Sequence, residues 1–296
     1  MSAASSPARL RGLGLIALAA VSWGTTGSVT TLLVSRASAT PLLVGAARML
    51  VGAVLLTTAA RVVSGVVRPA PGEAWRCAAL GICMALFQVT YFTAVTRAGI
   101  AVTALVAICS APIIIAALAT ALLGERPTRR LAVALVLGVA GTALLVAAPV
   151  AGTTAPRPLS GVLLALAAGF AYALYVVIAK AAVVRTAPLP LAALTFAVAA
   201  LLMVPALVMP GAATQLASGW PGLLYLGAVT TAGAYALYTA GLRYVSASAA
   251  GVASLLEPLT ATLLGVLLFG ERFGVAGWIG AALLLAGLAL LIDGER

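Results

Sequence analysis

Glu257 sits midway along an apolar run covering residues 247–269, and Arg48 lies inside another covering 41–63. Ionised groups within such stretches are costly unless they are paired, protonated or turned toward water, which makes each a candidate for function. For Glu257 two readings stand: a proton- or cation-sensing carboxylate lining a solute cavity, or an acid that hydrogen-bonds a neighbouring helix. Arg48 could hold a solute carboxylate, pair with Glu257, or extend its stem toward the interface. Its place about two turns of helix after Pro41 favours a structural or gating role. Pro112 and Pro258 each stand inside an apolar run and remove the helical bonds to the carbonyls of Ile108 and Ser254. Such breaks act either as hinges and polar contacts beside a site or as packing features alone.

Aromatic and amide side chains form a second set: Gln88, Tyr91 and Phe92; Phe170, Tyr172 and Tyr175; Tyr235 and Tyr238. Gln88, Tyr91 and Phe92 stand at i, i+3 and i+4, so one helix face carries them, and Tyr235 and Tyr238 share another. They lie too deep in their runs for interfacial belts. Facing inward, they would stack on and hydrogen-bond to planar or amphiphilic solutes; the competing reading is bundle packing. The candidate solute-binding set is Trp23, Gln88, Tyr91, Phe92, Ser110, Tyr172, Tyr175, Tyr235, Tyr238 and Glu257, with Arg48, Pro112 and Pro258 as gating or hinge candidates. There is no histidine in the chain, so zinc sites, histidine-ligated haem and Ser/His/Asp triads are not expected, nor is any cofactor. Cys77, Cys83 and Cys109 lack C-x-x-C spacing and read as small buried hydrophobes. A phosphate-binding G-x-x-x-x-G-K-[ST] loop is absent from the sequence, so no process driven by nucleotide hydrolysis in this chain is expected.

The elements that must position these residues follow from composition. Of 296 residues 64% are hydrophobic and 8% charged, far from the roughly 25% charged of a soluble domain. Apolar runs of about 20 residues, enough to span hydrocarbon as helix, recur near 12–34, 41–63, 75–96, 101–123, 131–149, 159–181, 188–209, 220–242, 247–269 and 274–292. The fold expected is an all-α membrane protein of ten transmembrane helices. Because the first run continues through Val34, it reads as an uncleaved span rather than a signal peptide. A net charge of +11 accompanies arginines scattered singly over short loops, a pattern of membrane orientation and not of nucleic-acid binding.

Residues 151–158 form a polar, proline-bearing linker at the midpoint, dividing a first five-helix repeat (1–150) from a second (159–296). A shift of 146 positions (270 − 124) lays Gly124-Glu125-Arg126 on Gly270-Glu271-Arg272, Pro112 on Pro258 and Arg97 on Arg243. A shift of 147 (188 − 41) lays Pro41 on Pro188, Trp23 on Phe170, and Arg48 on Thr195. An odd number of spans per repeat inverts the second half relative to the first, the plan of many secondary transporters. With both termini cytoplasmic, only Arg36, Arg97, Arg157 and Arg272 among the loop cations fall outside, as the positive-inside rule requires. Gly124-Glu125-Arg126 reads as structure: glycine closes a helix in a left-handed cap, and the glutamate complements the dipole of the helix that follows. Ser22, Thr25, Thr26 and Ser28 either line the cavity or bond their own helix carbonyls. Gly138 and Gly141 permit close helix packing, a surface that would also serve contact between subunits of a homo-oligomer.

The stretch from Glu257-Pro258 to Phe269-Gly270-Glu271 resembles the ninth-helix signature of the drug/metabolite transporter superfamily in its EamA branch. Ala111-Pro112 through Gly124-Glu125 resembles the matching fourth helix. Arg48 after Pro41, and Trp23-Gly24, resemble the second-helix arginine and first-helix Trp-Gly pair of that family. The resemblance covers essentially the whole chain. It implies a basket-like bundle with a central cavity between the inverted halves, formed mainly by spans 1, 3, 4, 6, 8 and 9. It further implies export of amino acids (aromatic or other neutral) or related metabolites across the bacterial inner membrane by alternating access, with membrane lipid as the other partner. A channel-like facilitator or importer is the rival within transport. A membrane enzyme acting on lipid-linked substrates is the rival outside it, and would need a constellation of acids, histidines or metal ligands at one membrane face.

Overall fold

The computed structural model describes residues 6–65, 67–126, 128–146, 158–269 and 274–292. Among these, ten segments are long and apolar enough to cross a membrane. Helices α1 (Ser6–Gly24) and α2 (Thr26–Ala37) share the first span, followed by α3 (Pro41–Ser64), α4 (Ala74–Ala98), α5 (Ile100–Leu123) and α6 (Arg129–Val146). Next come α7 (Pro158–Ala182), α8 (Pro188–Leu207) and an eighth span made of α9 (Ala212–Gly227), a π-helical segment (Ala228–Gly233) and α10 (Ala234–Gly241). Helices α11 (Ala247–Ala253) and α12 (Leu256–Phe269) form the ninth span and α13 (Val275–Ile292) the tenth. Of the expected linker only Pro158 is described, opening α7, and Gly270-Glu271-Arg272 lies outside the described residues.

Large apolar side chains such as Leu18, Val62, Leu201 and Leu267 stand exposed around the bundle, tolerable only where lipid is the solvent. Inside, α4 lies along α7 and α8, α3 along α8 and α9, α5 along α7, α1 along α10 and α12, and α6 along α13. Small residues set these distances. A Cβ on Gly141 would lie 2.6 Å from the Gly280 carbonyl oxygen, so α6 and α13 touch backbone to backbone. Gly138 likewise faces Leu255. Both glycines are therefore used inside this chain, not at a subunit contact.

Three spans depart from simple hydropathy. The first is interrupted at Thr25, whose hydroxyl donates to the Ser22 carbonyl at 2.7 Å, a side-chain bond that competes with the helical ladder. The eighth begins at Ala212, before the expected 220, because Gly211 caps it in the left-handed region at φ 79°. The ninth breaks at Ser254–Leu255. There the Glu257 amide bonds the Ser254 carbonyl at 3.0 Å, and Pro258 falls in the first turn of α12, where a missing N–H costs little. Pro112, in contrast, is buried in an α5 that continues through it, so no break marks a hinge there.

At the ends, Gly124 takes φ 66° and the Glu125 amide bonds the Ala119 carbonyl at 3.1 Å, the left-handed closure expected. The Glu125 side chain does not serve the helix that follows in sequence. Its carboxylate accepts from the Ala247 amide (2.7 Å), the Ser248 amide (3.2 Å) and the Ser248 hydroxyl (2.8 Å), capping α11 instead. Lys180 is buried at the end of α7 and donates to the Leu242 carbonyl at 2.7 Å. Glu73, 1% exposed, receives Arg76 at 2.7 Å and Arg185 at 3.4 Å, tying the loop before α4 to the one after α7.

Candidate functional site

The chemistry gathers where α1, α3, α4, α7, α8 and the eighth span converge. Helix α3 carries Arg48 inward, 7% exposed, with Gly52 one turn further on the same face. A Cβ at Gly52 would lie 2.5 Å from Thr231 Cγ2, so the bare glycine lets the π segment close on α3. The Arg48 Nε–H donates to Thr231 Oγ1 at 3.0 Å and the Nη2 to the Thr230 carbonyl at 3.3 Å.

That carbonyl is available because of the π turn. The Ala234 amide, which in an uninterrupted α-helix would bond Thr230, bonds the Val229 and Thr231 carbonyls instead. Single π turns free one acceptor in this way and frequently stand at functional sites. The freed oxygen accepts Trp23 Nε1–H at 3.0 Å as well as Arg48. The two threonine hydroxyls donate to the Leu226 carbonyl at 2.8 and 2.9 Å.

Around this junction the aromatic rings form one chain. Trp23 meets Tyr235 (centroids 4.9 Å apart), Tyr238 (5.2 Å) and Tyr172 (6.4 Å). Tyr172 continues to Tyr175 and, through Phe87, to Tyr91 and Phe92. Tyr235 also packs on Tyr175 and Phe196. Tyr175 and Tyr238 are fully buried, so in this conformation the rings close the centre on themselves. The Tyr172 and Tyr238 hydroxyls are buried without a hydrogen-bond partner among the described residues.

Glu257, half-buried just past the break of the ninth span, has Arg48, Tyr91 and Tyr235 as its electrostatic neighbours. No ion pair joins Arg48 and Glu257 among the described residues, although each lies in the other's field.

The structure thus brings together Trp23, Arg48, Tyr91, Phe92, Tyr172, Tyr175, Tyr235, Tyr238 and Glu257. Gln88 is buried on the same face of α4 as Phe92, and Phe92 packs against Gly45 of α3. Two candidates sit elsewhere. Phe170 points outward, 48% exposed, because the face of α7 that carries Tyr172 and Tyr175 is a different one. Ser110 turns its hydroxyl back on the Ala107 carbonyl at 3.3 Å and lies against Gly169, a packing contact between α5 and α7. Thr230, Thr231, Phe87 and Phe196 were missed. The signal for the threonines was present in Gly227-Ala-Val-Thr-Thr-Ala-Gly233, a small and polar window inside a span.

A ten-span helical bundle that turns an arginine, a glutamate and an aromatic wall inward is a multi-pass membrane protein with ionisable groups inside its spans, the architecture of a transporter. Comparison with known proteins makes this specific. The EamA-like transporter family matches residues 10–147 and again 159–293, and the chain belongs to it. It is 39% identical over 289 residues to "Uncharacterized transporter YwfM" of Bacillus subtilis (strain 168), covering 95% of this chain and 93% of that one. An "Uncharacterized transporter" of Archaeoglobus fulgidus is 28% identical over 201 residues, 68% of this chain and 70% of that one. A solved crystal structure superposes with a TM-score of 0.79 at 25% identity, covering 97% of this chain and 96% of the other.

Proposed function

We propose that this protein is a secondary transporter that exports small organic solutes, amino acids with aromatic or other neutral side chains, across the bacterial inner membrane by alternating access. The observation that carries the reading is the Arg48–Glu257 region: an arginine and a glutamate held inside the bundle, short of a salt bridge, beside an aromatic wall contributed by both halves of the chain. Ionisable side chains within membrane spans mark solute and ion paths.

Alternating access asks for two inverted halves, and the packing supports them. Exchanging the halves maps the contact of α4 with α7 onto that of the eighth span with α1, and α5 with α7 onto α12 with α1, while α3·α8 and α6·α13 map onto themselves. Gly81 packs on Val198 of α8, and its repeat counterpart Gly227 packs on Val51 of α3. The separate family matches to 10–147 and 159–293 support the same division.

The test is uptake and counterflow of labelled phenylalanine, tyrosine and leucine in proteoliposomes. A carrier exchanges labelled against unlabelled solute, whereas a channel does not. Single cysteines at 124–130 and at 270–272 should label from opposite sides of intact cells. Labelling from one side would end the inverted arrangement.

A further inference from the structure

We propose that the central site reads its solute as a zwitterion, the carboxylate on Arg48 and the ammonium on Glu257, with Thr231 as the positioning residue that aims the guanidinium. The inference rests on the transport reading and adds which groups of the solute are recognised.

A guanidinium offers five N–H donors in a fixed plane. In Arg48 the Nε edge is engaged by Thr231 Oγ1 and one Nη2 donor by the Thr230 carbonyl. The Thr231 hydroxyl has a single proton, and it goes to the Leu226 carbonyl at 2.9 Å. Toward Arg48 that oxygen can only accept, so it fixes the orientation of the plane. The remaining donors are left for a planar anion, which an arginine fork engages through two parallel bonds.

Glu257 meets no cation within bridging distance among the described residues. Arg48 is buried and Glu257 half-buried; such charges are costly alone, and neither is neutralised by the other. A molecule with only a carboxylate would satisfy Arg48 and leave Glu257 facing an added negative charge. One with only an ammonium would do the reverse. A zwitterion satisfies both.

Two measurements on the full chain separate this proposal from the transport reading. Equilibrium binding of labelled phenylalanine to detergent-solubilised protein tests the charge pattern; counterflow tests transport. Phenethylamine and 3-phenylpropionate, each lacking one charge, should displace phenylalanine at least about tenfold more weakly than phenylalanine itself. Thr231→Val should raise the Kd and the KM about tenfold with turnover retained, and Thr231→Ser should restore both. Glu257→Gln should narrow the preference for phenylalanine over 3-phenylpropionate. Equal displacement by phenethylamine, a wild-type Kd in Thr231→Val, or no saturable binding of any aromatic or branched amino acid overturns the proposal. Charge-selective binding without counterflow overturns the transport reading instead.

Discussion

Replacing Glu125 by alanine removes the acceptor for the first turn of α11, a helix in the other half of the chain. With Ser246 as N-cap, its first three amides are all accounted for: Ala247 and Ser248 on the Glu125 carboxylate, and Ala249 on Ser246 Oγ at 3.1 Å. Ala250 already bonds the Ser246 carbonyl at 3.0 Å, so Glu125 has no intrahelical substitute. Hydrogen bonds to an ionised acceptor contribute about 1.5–3 kcal/mol each, while loss of a cap costs typically about 1 and up to about 2 kcal/mol. Water reaches part of this half-buried carboxylate and would replace some of what is lost. The net cost of Glu125→Ala is then about 2–3 kcal/mol. If the opening is local, the amides of 247 and 248 should exchange roughly 30- to 150-fold faster, at about 1.4 kcal/mol per tenfold. Glu125→Gln should recover half the effect or less, since an amide offers one neutral acceptor and turns a donor toward N–H groups. Hydrogen–deuterium exchange in nanodiscs reads this directly. Unchanged protection at 247 and 248 in Glu125→Ala, with Ser246→Ala accelerating Ala249, would refute the assignment of Glu125 as a cap.

Other substitutions separate packing from function. Gly141→Ala places a methyl 2.6 Å from the Gly280 oxygen and should cost about 1–3 kcal/mol through forced separation of α6 and α13, read as a lower thermal midpoint in detergent. Tyr238→Ala should reduce the amount of folded protein, because emptying a fully buried ring site costs about 3–5 kcal/mol. Tyr91→Ala, at a half-buried position, should shift solute preference with little loss of protein, measured by competition in counterflow. Glu257→Gln should lower transport or flatten its pH dependence in vesicles; an unchanged pH profile removes any proton-coupling role. Pro112→Ala should leave counterflow intact, since α5 runs unbroken through that residue; a large loss there would reinstate the hinge.

Much of this protein is legible along the chain, because lipid acts on each segment by itself. A run such as 41–63 must be helical and must span, whatever its neighbours do. The Gly124 closure is equally local, since it depends on one residue's access to positive φ. Which face of a span turns inward is another matter. Trp23 and Phe170 align in the two repeats, yet one is buried and the other faces outward. Their low-contrast helices, apolar on every side, carry no stripe to tell the difference. The destination of the Glu125 carboxylate, the buried end of Lys180 and the Thr230 carbonyl shared by Trp23 and Arg48 each join residues far apart in sequence. Only packing decides them, because a hydrogen bond across helices exists when two backbones come close enough, and that distance is set by glycines such as Gly52 and Gly141 meeting a partner elsewhere in the fold.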